Sequence, residues 1–378
     1  MRILYFGTYR AQYFRNRMLI KGLRMAGAEV NECHATLWHG IEDRVQAASG
    51  GWRSPRFWLR VLRTYIELLR QYRCAGDYDV MLVGYPGQID TYLARLLTWR
   101  RRKPLALDIY MSIALVAQER GLGARSPFTL RLLRAVEWGA LRLPDRLISD
   151  TRDYVEWLGR QYGVAPERFR LVPIGAEDDA FPPLPPKARG PVFRVNYAGT
   201  YIPNHSVATI VAAARLLQAE PDIRFEMIGD GPDRPEAQAL AQGLPNIEFV
   251  QWLETDALAA RYAAADVLLG SFGRTPQSLM TVHNKVYQGL ALGRPVITGD
   301  SPAIRRLFTL DEEILVCARQ DPQALADTIR RLRDHPELGE RLSRQGQTRF
   351  AAEFDLAHNG QRLLAHLREL VPAATAAR

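Results

Sequence analysis

The chain has 378 residues, 47% hydrophobic and 24% charged, with a formal net charge of +9. It is long enough for two domains of ordinary size and too apolar for a disordered chain. No apolar run approaches the ~18 residues of a membrane-spanning helix, and the short N-terminal run MRILYFGTYR reads as a first strand and not as a signal peptide.

Cys33, Cys74 and Cys317 are odd in number and far apart. They suggest neither a disulfide framework nor a zinc site, which sets the expectation of a reducing, cytoplasmic compartment. The charge is uneven. Residues 1–190 carry 30 Lys+Arg against 19 Asp+Glu, and the remainder carries 20 against 22. A basic first half is open to an anionic partner, a membrane surface or a nucleic acid. The charge is spread over the domain without an aromatic-interleaved motif, so no nucleic-acid partner is expected.

Arg2 to Gly7 reads as a strand, followed by a polar loop from Thr8 and a helix through Arg24. Glycine at the C-terminal edge of a first strand is where ligands of open α/β sheets collect, which marks Gly7 and Thr8. There is no G-x-G-x-x-G, so a nicotinamide fingerprint is absent. Arg15 and Arg17 are either solvated helix residues or cations directed at a phosphate. Gly51 to Cys74 opens a helix at Ser54-Pro55, with Phe57, Trp58, Val61, Leu62, Tyr65, Leu68 and Leu69 at helical spacing. Its other face carries Arg56, Arg60, Arg63, Arg70 and Arg73. It packs on a core with a solvated basic face, or it lies on an anionic membrane.

Tyr78 to Gly84 is an apolar parallel strand. The strand from Pro104 ends at Asp108, a carboxylate placed either to bind sugar or acceptor or to cap the next helix. Arg146 to Ser149 is a strand ended by Asp150-Thr151, a helix N-cap pattern. Arg170 to Pro173 is a short strand, and the run AEDDAFPPLPPKARG after Gly175 reads as an interdomain linker. A second α/β series follows. Its strands are Phe193 to Gly199, Arg224 to Gly229, Ile247 to Val250 and Asp266 to Leu269, with Ser206 as the expected cap of a helix over 207–218. Helices over 322–334, 338–350 and 356–370 complete the chain.

The stretch Thr281 to Pro302, TVHNKVYQGLALGRPVITGDSP, is a helix–turn–strand unit. His283, Asn284 and Lys285 gather at the helix start, where unpaired amides and the dipole favour a phosphate, and Gly293 ends the helix. This stretch resembles the donor-binding segment of retaining GT-B glycosyltransferases of family 4. In many members two glutamates seven residues apart flank this helix. Here those positions are Met280 and Gln288, so the resemblance is to a divergent branch with Asn-Lys-x-x-Gln. FGTY followed by Arg15-Asn16-Arg17 is similar to the N-terminal motif of the same group.

The resemblance implies an α/β, GT-B architecture: two Rossmann-like doubly wound domains facing across a cleft. The expected division is 1–178 for the acceptor domain, 179–190 for the linker and 191–354 for the sugar-nucleotide domain. Residues 355–378 are expected as a helix crossing back to the first domain. It further implies that Gln288 holds the donor's ribose. The usual diphosphate cations fall at Thr200 and His205, after Gly199, leaving Lys285 as the candidate for the diphosphate. Gly229-Asp230-Gly231-Pro232 resembles the family's turn beside the nucleotide, and Trp252 falls near the base. Lys285 and Asp108 are the catalytic candidates. Gly7, Thr8, Arg17, Gly199, Thr200, His205, Gly229, Gly231, Trp252, His283, Asn284 and Gln288 are the donor-binding ones.

With no His/Cys cluster evident, no metal is expected, and the nucleotide-sugar is a donor substrate with no separate cofactor. The acceptor expected is a carbohydrate or lipid-linked molecule of the cell envelope. The protein is placed in the cytoplasm, with peripheral attachment to the inner face of the membrane as an open alternative. A nucleotide-sugar epimerase and a catalytically silent binding protein on the same fold are the rivals.

Overall fold

The computed structural model describes residues 1–37 and 54–371; Gly51, Trp52 and Arg53 of the arginine-rich segment lie outside them. The chain divides into two compact units, Met1–Pro173 with Leu356–Arg378, and Ile174–Asp355.

In the first unit, β1 (Arg2–Gly7), β2 (Glu29–His34), β3 (Val80–Val83), β4 (Leu105–Asp108), β5 (Arg146–Ser149) and β6 (Phe169–Leu171) form a parallel sheet in the order β2-β1-β3-β4-β5-β6. Strands β3 and β4 are buried along their whole length, as parallel strands covered on both faces must be. The helices are α1 (Phe14–Met25), α2 (Pro55–Cys74), α3 (Asp90–Arg101), α4 (Ile113–Glu119), α5 (Leu122–Arg125), α6 (Pro127–Ala140) and α7 (Arg152–Tyr162). Thr151, and not Asp150, caps α7, its hydroxyl accepting from the Tyr154 amide. A core of Ile3, Tyr5, Leu19, Leu23 and Leu82 also takes in Leu363, Leu364 and Leu367 from a late helix described below.

In the second unit, β7 (Phe193–Ala198), β8 (Ile223–Ile228), β9 (Ile247–Val250), β10 (Val267–Leu269), β11 (Val296–Gly299) and β12 (Leu315–Cys317) form a second parallel sheet, order β12-β11-β10-β7-β8-β9. The helices are α8 (Val207–Leu216), α9 (Arg234–Leu240), α10 (Thr255–Ala264), α11 (Pro276–Met280), α12 (Asn284–Leu292), α13 (Pro302–Leu307), α14 (Pro322–Asp334) and α15 (Pro336–Glu353). Each sheet reverses its strand order beside its first strand, which is the doubly wound pattern. The proline-rich run packs on this unit. Phe181 is buried with its ring 6.1 Å from that of Tyr262, Lys187 pairs with Asp266, and the Pro185 carbonyl accepts from Arg294.

One local expectation is corrected, and two short elements are added. Ser206 does not cap α8: its φ is +48° and its hydroxyl bonds Thr209 Oγ1 at 2.9 Å. Strand β12 and helix α11 were not expected, being three and five residues long. The last described helix, α16 (Leu356–Arg368), belongs to the first unit, where it packs on α1.

Candidate functional site

The turn after β7 and the start of α12 meet at the C-terminal edge of the second sheet. Gly199 has φ +156°, and a Cβ there would come within 2.8 Å of Lys285 Nζ. Gly229, after the neighbouring β8, has φ +117°, and its Cβ would lie 2.1 Å from the Gly199 carbonyl oxygen. Only glycine allows these two turns and the lysine to approach so closely. Backbone bonds then lace the two loops, with Tyr201 N–H donating to the Asp230 carbonyl and Asp233 N–H to that of Tyr201, both at 3.0 Å. Gly231 lies against the Tyr201 backbone in the same turn.

Lys285 is 4% exposed, and its Nζ has no hydrogen-bond partner. The ammonium sits 4.2 Å from the centre of the Tyr197 ring, a cation–π contact that offsets part of its lost hydration. Burial lowers its pKa from the ordinary 10.5 to about 7. Tyr197 Oη is 2.7 Å from His205 Nδ1, and the His205 and His283 rings lie 5.2 Å apart. Burial first, then the Lys285 charge, pushes both imidazoles well below 6.5. Both are thereby driven toward the neutral imidazole.

Asn284 and Lys285 open α12, and their amides belong to the helix turn that has no intrahelical acceptors. Gln288, buried, follows one turn on. Gly293 closes the helix in the left-handed conformation, as its place before Arg294-Pro295 suggests. Thr200 is half-buried in the turn after Gly199, its carbonyl accepting weakly from Tyr197 Oη at 3.3 Å. Trp252, 60% exposed, lies just past the end of β9. The second unit thus gathers Gly199, His205, Gly229, His283 and Lys285 at one place, with Asn284 and Gln288 on the same short helix.

The candidates in the first unit are engaged otherwise. Gly7 packs on Asp90, and Thr8 donates to the same carboxylate from its amide at 2.6 Å and its hydroxyl at 3.0 Å. Asp108 faces Arg15, whose Nη2 is 2.8 Å from Oδ1 and whose Nε is 3.1 Å from Oδ2. Both side chains are at most 1% exposed, and Arg15 also donates to the carbonyls of Val172 and Pro173. Asp108 is therefore one half of a buried ion pair tying β4 to α1. Arg17 lies half-buried two residues beyond Arg15.

Two arginines escaped the sequence reading. Arg234 donates to the Gly229 carbonyl and, at 2.8 Å, to Gln251 Oε1, fixing the turn after β8. Arg319, also buried, donates to the carbonyls of Gly273, Gly299 and Asp300 and to Ser278 Oγ. Arg319 ties the ends of β11 and β12 to α11, and it is one of the charges holding His283 neutral. Isolated arginines beyond strands carry no sequence signal for this role. Gly229-Asp230-Gly231-Pro232, two residues ahead of Arg234, was the nearest one.

Residues 207–365 match the family described as glycosyl transferase-like. Over 137 residues the chain is 31% identical to a GDP-mannose-dependent alpha-(1-6)-phosphatidylinositol dimannoside mannosyltransferase of Mycobacterium tuberculosis, 36% of this chain and 34% of that one. The matches to the first curated relatives span only 34% to 41% of their length. The sucrose-phosphate synthase of Thermosynechococcus elongatus superposes with a TM-score of 0.72 at 18% identity, covering 98% of this chain and 99% of that one. HepE of Anabaena, solved in complex with UDP, gives 0.68 at 15% identity over 98% and 99%. At such identities the two structures establish a shared fold.

Proposed function

On the premise that this chain has the GT-B fold and that its residues 207–365 belong to the glycosyl transferase-like family, we propose that it is a glycosyltransferase. It takes a sugar from a nucleotide-sugar donor and delivers it to a hydroxyl of a cell-envelope, lipid-linked or polysaccharide acceptor. The observation that carries this reading is the Lys285 ammonium, buried at a sheet edge, without a hydrogen-bond partner, beside the amides that open α12. A buried cation held so is a poor element of a resting protein and a good receptor for an anion.

In this reading the donor's diphosphate lies between Lys285, the first turn of α12 and the Gly199 turn, and Gln288 meets the ribose hydroxyls. As the bond from sugar to diphosphate breaks, negative charge grows on the leaving oxygen. A fixed cation and fixed dipoles stabilise that charge without reorganising. Neutral His205 and His283 shape the pocket and leave Lys285 as its charge. Retention at the anomeric carbon and independence of a metal ion are part of the proposal and rest on the likeness to the family 4 group.

The test is calorimetric titration with UDP, GDP, ADP and CMP of the wild-type chain and of Lys285→Ala. UDP and GDP head the panel because one relative is solved with UDP and another is named for GDP-mannose. Tight binding of one nucleotide, lost in the variant, supports the donor site and names the base. Failure of all four to bind would favour a catalytically silent member of the fold, a reading that Met280 and Gln288 at the two glutamate positions keep in play.

A further inference from the structure

Eleven of the sixteen large hydrophobic side chains that are exposed among the described residues lie on three helices of the first unit or at their ends. On α2 they are Trp58, Leu59, Leu62 and Ile66, all at least 40% exposed. On α3 and its N-cap they are Ile89, Tyr92, Leu96 and Trp99, spaced three, four and three residues apart, which is one stripe along a helix. On α6 they are Phe128, Leu132 and Trp138.

The helices stand side by side. Tyr65 of α2 donates to Asp90 of α3 at 2.6 Å, and the Arg101 guanidinium of α3 lies over the Tyr72 ring of α2. Tyr92 of α3 donates to the Val136 carbonyl of α6 at 2.9 Å. In the sheet order the crossovers after β2, β3 and β4 all run the same way, so right-handedness puts these helices on one face. Eleven exposed apolar side chains thus stand on neighbouring helices of one face, and folded monomers rarely leave such a grouping uncovered.

Its charge identifies what covers it. The three helices carry ten arginines and three acids, and two of the acids, Asp90 and Glu137, are buried. Three arginines lie against aromatic rings: Arg95 is 5.5 Å from the Trp99 ring while paired with Asp145, Arg142, just past α6, is 3.9 Å from Trp138 while donating to the Tyr162 carbonyl, and Arg60 is 5.7 Å from Phe57. Exposed tryptophans beside the exposed Arg56, Arg63 and Arg73 of α2 suit the interface of a bilayer, where the rings enter the acyl boundary and the cations meet phosphates. A second copy of the chain is a poor occupant, since a symmetric pairing would set arginines against arginines. No described helix is long and apolar enough to cross a membrane, so the contact lies on the surface.

We infer that the α2–α3–α6 face docks on an anionic lipid bilayer. The inference deepens the proposed function by placing the protein where a lipid-linked acceptor resides. It rests on the first unit alone, so nucleotide binding measured without lipid tests the donor reading separately.

Flotation with vesicles of phosphatidylcholine alone, and with added phosphatidylglycerol, at low and high salt, decides it. The wild-type chain is expected to float with anionic vesicles at low salt, with a blue shift of tryptophan emission. It is expected to stay behind with phosphatidylcholine alone. Arg56→Gln, Arg63→Gln and Arg73→Gln each lower partition about fivefold at low salt. Leu62→Glu with Leu96→Glu abolishes it, and thermal melting shows that these exposed sites leave the fold intact. Equal flotation with both vesicles would overturn the inference. So would variants that float like the wild type, no flotation by a chain that still binds nucleotide, or sedimentation of a wild-type dimer that Leu62→Glu splits.

Discussion

Replacing Lys285 by methionine keeps the unbranched stem, one atom shorter, and removes its charge. The fall of the lysine pKa from 10.5 to about 7 means that holding the ammonium inside the second unit costs about 5 kcal/mol more than holding it in the unfolded chain. The sign follows from which state binds the proton. Below pH 7 both states hold it and the full penalty is present. Between pH 7 and 10.5 the folded chain releases it while the unfolded chain keeps it, so the penalty fades and stability rises with pH.

Lys285→Met is therefore expected to stabilise the second unit by about 5 kcal/mol near pH 6 and by little near pH 10. Urea unfolding across that range measures the difference. A bound diphosphate reverses the penalty by supplying the missing counter-charge. Nucleotide binding to the wild-type chain above pH 7 should then take up a proton, which appears as a dependence of the calorimetric heat on the buffer's ionisation enthalpy. The variant should lose both the affinity and the buffer dependence. A variant no more stable than the wild type near pH 6, or a wild-type binding heat indifferent to buffer, would refute the reasoning.

Asp108→Ala leaves Arg15 charged and buried with one partner gone, and should destabilise the first unit by about 3–5 kcal/mol in denaturant titration; unchanged stability with lost turnover would return Asp108 to catalysis. Asp150 is buried and its carboxyl is pushed up to about 7, against the pull of Arg15. Because the unfolded carboxyl ionises near 4, stability from this group is full below that pH and is lost as pH rises to 7, by about 4 kcal/mol. Asp150→Asn should flatten that slope and stabilise the chain near pH 8, as read by thermal melts across pH. Gly229→Ala drives a methyl into the Gly199 carbonyl and should weaken nucleotide binding at least tenfold in calorimetry, with far-UV dichroism unchanged.

The helix–turn–strand from Asn284 to Gly299 was legible because each of its boundaries has a chemical mark: polar residues at the helix start, Gly293 at its end, and Val296-Ile297 in the strand. The fate of Lys285 was not. Periodicity places it in the first turn, where a lysine ordinarily finds water. Its burial comes from the Gly199 and Gly229 turns, 86 and 56 positions earlier in the chain, which close over it only after the strands pair. The pairing of Arg15 with Asp108 was invisible for the same reason, since β4 reaches α1 only through the sheet. Strand β12 hides behind Asp311-Glu312-Glu313 and is held by its register with β11, not by a long apolar run. The arginines of α2 were legible as a basic stripe. The apolar stripe of α3 was not, because the spacing of Ile89, Tyr92, Leu96 and Trp99 suits a core face equally well and only the sheet shows which side they face.

Helix α16 gives the order of synthesis a meaning. Leu363, Leu364 and Leu367 complete the core around Ile3 and Leu23, and Gly360 lies so close to Gly22 that a methyl on it would fall 1.9 Å from the Gly22 carbonyl oxygen. The unit begun first on the ribosome therefore lacks part of its own interior until residues 356–368 emerge, whereas the unit encoded between its two pieces can close earlier. During that interval the nascent first unit carries an open seam along α1, and a chaperone that recognises exposed leucine-rich surface would find it there.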